Sequence, residues 1–231
     1  MKYAIIPARG GSKRVPRKNI KEFLGVPMIT RVIEVLRSSQ LFDQIVLSTD
    51  DHEVADIGRK AGAVVPFIRP DDLSDDFTGT APVIAHAVNE MKLVGLGVSS
   101  VCCVYPTAVL LRAEDLFQSI DIMASGGWKY VFSAAKFDAP VQRSFLLNLD
   151  DRVEMLFPNE YKTRTQDLPA VYHDAGMFYW ASPQTWLDQE AVFSANSTIA
   201  EIPSWRVQDI DTIEDFERAE YKYNLMRKVY A

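Results

Sequence analysis

Six cations crowd into thirteen residues of an acidic chain. Arg9, Lys13, Arg14, Arg17, Lys18 and Lys21 lie together with no acid among them. Gly10, Gly11 and Ser12 sit inside the cluster. Small residues let backbone N–H groups approach an anion closely, and Lys and Arg side chains neutralise its charge. Like charges this close repel, and a bound anion would relieve them. The stretch therefore predicts a polyanion site. It matches neither the GxxxxGK[ST] phosphate loop nor the GxGxxG dinucleotide pattern, which argues against a kinase or GTPase and against a nicotinamide dehydrogenase.

Two carboxylates stand near the other end, in VQDIDT at 207–212. Asp209 and Asp211 are two apart, so on extended backbone both face one side. That suits a Mg²⁺ ion, which takes one or two carboxylates plus substrate phosphates. Helix capping by Asp211 or Thr212, with Glu214 and Asp215 in the first turn, explains the same pattern. The two readings are compatible. In RPDDLSDDFTGTAPVI (69–84), Arg69 ends a strand-like run, and Thr78 and Thr80 precede a helix whose free N–H groups and hydroxyls can grip a ligand. The acids between them read as loop surface. In PVQRSF, TRTQDL and YHDAGMFYW, the residues Gln142, Arg143, Arg164, His173, Asp174, Phe178 and Tyr179 could line a pocket for a polar, carboxylated ligand. For any one of them alone, a place in strand or core is the stronger reading. His52 and His86 fall in helical patterns and receive no chemistry.

These residues need a scaffold that brings both ends of the chain together. Short apolar runs alternate with helical spacing: strands at 2–7, 43–49, 63–68 and 98–106, helices at 27–39, 50–62, 81–94 and 113–125. Asp50 is the expected N-cap of the second helix and Gly62 its stop. The alternation predicts an α/β fold with a Rossmann-like, mostly parallel sheet flanked by helices. Ligands then bind at the carboxyl ends of the strands. From about 130 to 158 the pattern reads as antiparallel strands, an inserted arm. HDAGMFYWA (173–181) returns a strand, and the chain closes on a helix from 212.

The bulk numbers agree. A chain of 231 residues fits a single domain, 1–231, with a small appendage, and 48% hydrophobic against 24% charged residues can bury a core. There is no apolar run of about 18 residues, so no membrane span is expected. No signal-peptide pattern opens the chain, and Cys102 and Cys103, adjacent on one strand, point to opposite faces as core thiols. A cytoplasmic location is expected. A net charge of −6 argues against nucleic-acid binding.

ARGGSKRVPRKN resembles the N-terminal signature of the sugar-acid cytidylyltransferases, the CMP-sialic acid synthetase group. RPDDLSDDFTGT, YPTAVLLRAEDL and VQDIDT match further blocks of that family in the same order, so the resemblance spans nearly the whole chain. VPFIRPDDLSDDFTGT, PVQRSF, TRTQDL and YHDAGMFYW are most similar to the branch acting on pseudaminic acid. Where the sialic acid enzymes carry PTSPLR, this chain reads PTAVLLR from Pro106 to Arg112.

The resemblance implies a nucleotide-diphospho-sugar transferase type of fold. It implies a reaction of CTP with a nine-carbon 2-keto sugar acid, Mg²⁺ as cofactor, and a homodimer built through the antiparallel arm. It places Ala8, Arg9, Gly10, Gly11, Ser12, Lys13, Lys18 and Asn19 on the nucleotide, with Arg9, Lys13 and Lys18 in the chemistry. Arg69, Thr78 and Thr80 complete the nucleotide site, Asp209 and Asp211 hold the metal, and the seven residues from Gln142 to Tyr179 serve the sugar. Other readings are an eight-carbon, neuraminic or legionaminic acid acceptor, and a module that binds CTP without reacting.

Overall fold

The structure, a computed structural model, describes residues 1–230. In chain order the strands are β1 (Lys2–Pro7), β2 (Glu22–Phe23), β3 (Val26–Pro27), β4 (Gln44–Ser48), β5 (Ser100–Val104), β6 (Tyr130–Lys136), β7 (Phe145–Leu147), β8 (Val153–Met155), β9 (Tyr172–Ala181) and β10 (Ser197–Glu201). The helices are α1 (Met28–Ser39), α2 (His52–Ala61), α3 (Thr80–Glu90), α4 (Ala113–Gly126), α5 (Pro183–Leu187) and α6 (Ile213–Val229). The main sheet runs β10-β6-β9-β5-β1-β4. Only β9 is antiparallel to its neighbours. This is the mixed, mainly parallel α/β architecture that the alternation predicts.

Both faces of the sheet are covered, which is why its strands read as continuous apolar runs. Side chains alternate between two cores. Ile6, Leu47, Cys102, Val104, Phe178 and Trp180 face α1, α4 and α6. Ile5, Val46, Cys103 and Tyr179 face α3 and α5. The two thiols are free and buried on opposite faces. Burial pushes both up, the Cys102 thiol well above its usual range.

Three local expectations change. Residues 63–68 form no strand beyond an isolated bridge between Val46 and Val64, because Pro66 has no N–H to extend a ladder. Residues 130–136, expected at the start of the arm, are β6 inside the main sheet and are buried on both faces up to Ala135. The separate hairpin is β7–β8, largely exposed, with Asn148 accepting from the N–H groups of Asp150 and Arg152 at its turn. The cap of α2 is Asp51, which accepts from Val54 N–H, and not Asp50. Gly62 does stop that helix, at a φ of 105° that favours glycine. Among the described residues no helix is long and apolar enough to cross a membrane.

Candidate functional site

A cleft of about 320 Å³ opens at the carboxyl ends of β1 and β5. The basic segment enters it directly from β1, after Ala8 N–H donates to Ser48 O at 2.9 Å. Arg9, Ser12, Lys13, Lys18 and Asn19 line one wall. Arg69, Thr78 and Thr80 line the other, and Asp209 closes an end. Residues two hundred positions apart thus share one cavity, as the sequence reading required. Ala8, Gly10 and Gly11 form the loop beneath. Ala8 is buried, and Gly10 packs so tightly that a Cβ there would stand 2.5 Å from an Asp51 carboxylate oxygen.

The loop is shaped by acids from elsewhere in the chain. Arg17 adopts a left-handed φ of 54°, an uncommon conformation for a side-chain-bearing residue. Its guanidinium bridges Asp51 and Glu53, both on the start of α2. The Arg17 hydrogen bond holds the Asp51 carboxyl below its ordinary pKa, against the opposing effect of burial. Asn19 is buried and donates from its amide to Arg9 O at 2.8 Å, fixing the loop from inside. Arg9 and Lys13 meet Asp76, and Arg14 and Lys18 meet Asp211 at 2.9 and 3.5 Å. The expectation that only a bound anion relieves the cation cluster is therefore corrected. Acids distant in sequence fold back onto it, a pairing that local composition cannot reveal.

The opposite wall is built around one buried cation. Arg69 is 3% exposed and donates from Nε to Ser74 Oγ at 3.0 Å. Burial lowers its pKa, and the Asp50 carboxylate counters that effect. Thr80 begins α3, and its hydroxyl is hydrogen-bonded to that of Tyr105. Burial raises Tyr105 to about 12, so its hydroxyl stays protonated. Tyr105 also lines the cleft and was missed from sequence. Its position one residue past a buried strand was the available signal.

Asp209 is open to the cleft, yet the surrounding walls and then the charge of Asp211 hold its carboxyl above the ordinary value. A cation there would relieve that repulsion. The capping alternative for Asp211 is removed: Thr212 is the N-cap of α6 and forms a capping box with Asp215. No cluster of three or more metal-ligating side chains occurs among the described residues. Mg²⁺ keeps waters and substrate oxygens and needs no such protein cage. The pair fits it on those terms.

The sugar candidates lie outside the cleft. Gln142 donates to Pro169 O at 3.1 Å, and Arg143 donates to the carbonyls of Glu160 and Tyr161 at 2.8 Å and to that of Thr163. Arg164 pairs with Asp167 at 2.8 Å. His173 packs on Phe137, and Asp174 accepts from Gly176 N–H and from the Tyr179 hydroxyl. Phe178 is wholly buried in the core on the α1 side and presents no ring to a ligand in this chain. Tyr179 comes nearest, with its ring against Tyr105 at 5.6 Å.

A family model described as cytidylyltransferase matches residues 3–228. A pseudaminic acid cytidylyltransferase of Campylobacter jejuni is 42% identical over 221 residues, spanning 96% of this chain and 95% of the relative. A CMP-N,N'-diacetyllegionaminic acid synthase of Legionella pneumophila is 27% identical, covering 83% of this chain and 82% of its own. Among solved structures, a CMP:2-keto-3-deoxy-manno-octonic acid synthetase complexed with CTP superposes with a TM-score of 0.72. It covers 99% of both chains at 15% identity, which speaks to the fold alone.

Proposed function

The chain belongs to the cytidylyltransferase family, and from that premise we propose that it joins CMP from CTP to pseudaminic acid, a nine-carbon 2-keto sugar acid, releasing pyrophosphate. The observation that carries the reading is the convergence of Arg9, Ser12, Lys13 and Lys18 with Arg69 and Thr80 in one cleft. One wall suits a triphosphate and the other a small base. The choice of sugar rests on the 42% identity to an enzyme named for it.

The anomeric hydroxyl of the sugar acid attacks the α-phosphorus. A new P–O bond forms, the bond to the β-phosphate oxygen breaks, and the hydroxyl proton is lost to solvent or a nearby base. Such transfers depend chiefly on alignment and on charge stabilisation. Lys13 and Arg9 neutralise charge on the α-phosphate and on the leaving pyrophosphate. Ser12 and the Gly11 N–H orient the phosphate chain, while the Gly10 N–H is held by the Asp50 carboxylate. Lys18 is held by Ile210 O and stands beside Asp211, so it ties the phosphate loop to the carboxylate pair. Arg69 donates to cytosine acceptors, with Thr80 and Tyr105 closing the base pocket. Asp209 and Asp211 would hold Mg²⁺, which supplies charge neutralisation and a lowered pKa for the attacking hydroxyl when bound.

The same reading makes the protein a homodimer. The β7–β8 hairpin exposes Phe145, Leu146, Leu147 and Val153 together, an apolar patch of the kind that marks an interface. A partner's hairpin would bring sugar-binding groups to the cleft that this chain alone lacks. The reading also places the enzyme in the cytoplasm, in keeping with two buried free thiols.

The test is pyrophosphate release with CTP and Mg²⁺, against pseudaminic, legionaminic, neuraminic and eight-carbon acids in parallel. Release with pseudaminic acid alone is expected. Release with another acid keeps the reaction and overturns the sugar. Silence with CTP still bound overturns both.

A further inference from the structure

Asp50 stands where the sequence predicts a helix cap, but Asp51 does that work. Asp50 is left two residues past β4 with its carboxylate turned to the basic loop and to Arg69. One oxygen, Oδ1, accepts from Gly10 N–H at 3.0 Å. The same oxygen lies 3.6 Å from Arg69 Nη2. Arg69 N–H in turn donates to Thr49 O at 2.8 Å, so the strand end carrying Asp50 also anchors the backbone of Arg69.

The charges around Arg69 are uneven. Arg9 opposes it, and Asp50 is the carboxylate paired with it. Its other side-chain partner, Ser74, is neutral. A guanidinium buried this deeply needs a countercharge to keep one geometry.

We infer that Asp50 is a positioning residue that locks the base-reading Arg69 and the phosphate loop to one another, so that cytosine recognition and triphosphate alignment are set by a single carboxylate. The inference rests on the reading above that Arg69 faces cytosine. Cytosine offers acceptors at O2 and N3, whereas uracil carries a hydrogen on N3. A fixed Arg69 therefore favours CTP over UTP, and a loosened one does not.

Asparagine at this position separates the two contacts. Its amide oxygen can still accept from Gly10 N–H, but the countercharge is gone. Asp50→Asn should weaken CTP binding about ten-fold and lower the CTP-over-UTP preference by a similar factor, with kcat changed less than about three-fold. Asp50→Ala loses both contacts, so kcat should fall as well. Binding is read by calorimetry with CTP and UTP, which needs no sugar acceptor, and kcat by pyrophosphate release.

Arg69→Gln and the double variant complete a cycle. If Asp50 acts through Arg69, Asp50→Asn adds nothing to Arg69→Gln in the CTP-over-UTP ratio. Additive losses overturn the inference. An unchanged ratio in Asp50→Asn, with a collapsed one in Arg69→Gln, overturns the role of Asp50 while base reading by Arg69 stands. An unchanged ratio in Arg69→Gln removes the base reading, and the inference falls with it. Should Asp50→Asn not fold, Asp50→Glu is read instead. It keeps the charge, so its ratio should stay within about two-fold of the parent, and a ten-fold drop overturns the inference.

Discussion

Arg9 and Asp76 meet at 2.8 Å across the mouth of the cleft. Lys13 reaches the same carboxylate, and Arg9 also donates to Asp75 O. The Asp76 carboxylate and the Asp75 carbonyl therefore do more than decorate a loop. They stand in for a polyanion on the two cations assigned to the phosphates. A triphosphate must displace them.

Removing that competitor should tighten nucleotide binding. Asp76→Asn is expected to lower the Kd for CTP about two- to five-fold at low salt, with a smaller gain at high salt where such exposed pairs are screened. Calorimetric titration at two ionic strengths measures it. Weaker binding by Asp76→Asn would assign the carboxylate to the bound state instead.

Asp51 gives a prediction in pH. Its carboxyl lies below the ordinary value because Arg17 and the start of α2 bind its charged form. A depressed folded pKa contributes stability that is present above the unfolded value and is lost as pH falls through the folded one. Asn caps a helix about as well as Asp, so Asp51→Asn removes mainly the charge. The variant should melt about 1–3 °C below the parent at neutral pH, since the pair is partly exposed. That gap should close as pH drops below the usual carboxylate range. A gap that persists in acid would mean that packing against Gly10 sets the effect.

Much of this was legible before any coordinates. The β1 strand, the basic loop behind it and the Asp209–Asp211 pair are local patterns with physical meaning, and the structure brings them together. The partners were not legible. Nothing in the sequence around Arg14 names Asp211, 197 positions away, and nothing around Arg17 names Asp51. The helix cap missed by one residue for a similar reason: Asp50 and Asp51 are alike locally, and their partners, Gly10 N–H and Arg69 for the one and Arg17 for the other, lie far away in sequence. Segment 130–136 was assigned to an arm because its two-faced burial depends on β9 and β10, which follow much later.

Arg206 and Asp115 show how the far end of the chain is fixed. Two hydrogen bonds of 2.7 and 2.8 Å join them inside the core, linking the start of α4 to the segment that leads into Asp209. Breaking one partner of a buried pair costs about 3–5 kcal/mol, because the other charge is left without compensation. Asp115→Ala should lower Tm by roughly 10 °C and, where still folded, weaken turnover more than CTP binding. Thermal melts and a KM-against-kcat comparison at low temperature test it. A Tm within 2 °C of the parent would show that Arg206 finds another partner.

Asp211 separates chemistry from architecture. Its backbone N–H donates to Asp215 Oδ2 at 3.3 Å, a contact that survives any side-chain change. The cap of α6 belongs to Thr212 and Asp215. Asp211→Ala should therefore leave the fold intact, with Tm within about 2 °C, since only partly exposed pairs with Arg14 and Lys18 are lost. Turnover should fall by about a thousand-fold or more, as expected when a charge-stabilising group of a phosphoryl transfer is removed. Thr212→Ala is the opposite case. Losing the cap costs about 1 kcal/mol, so Tm drops by about 2–4 °C while kcat stays near the parent value. If both variants instead lose stability together and keep their kcat, the VQDIDT segment is structural and the metal reading of Asp211 fails.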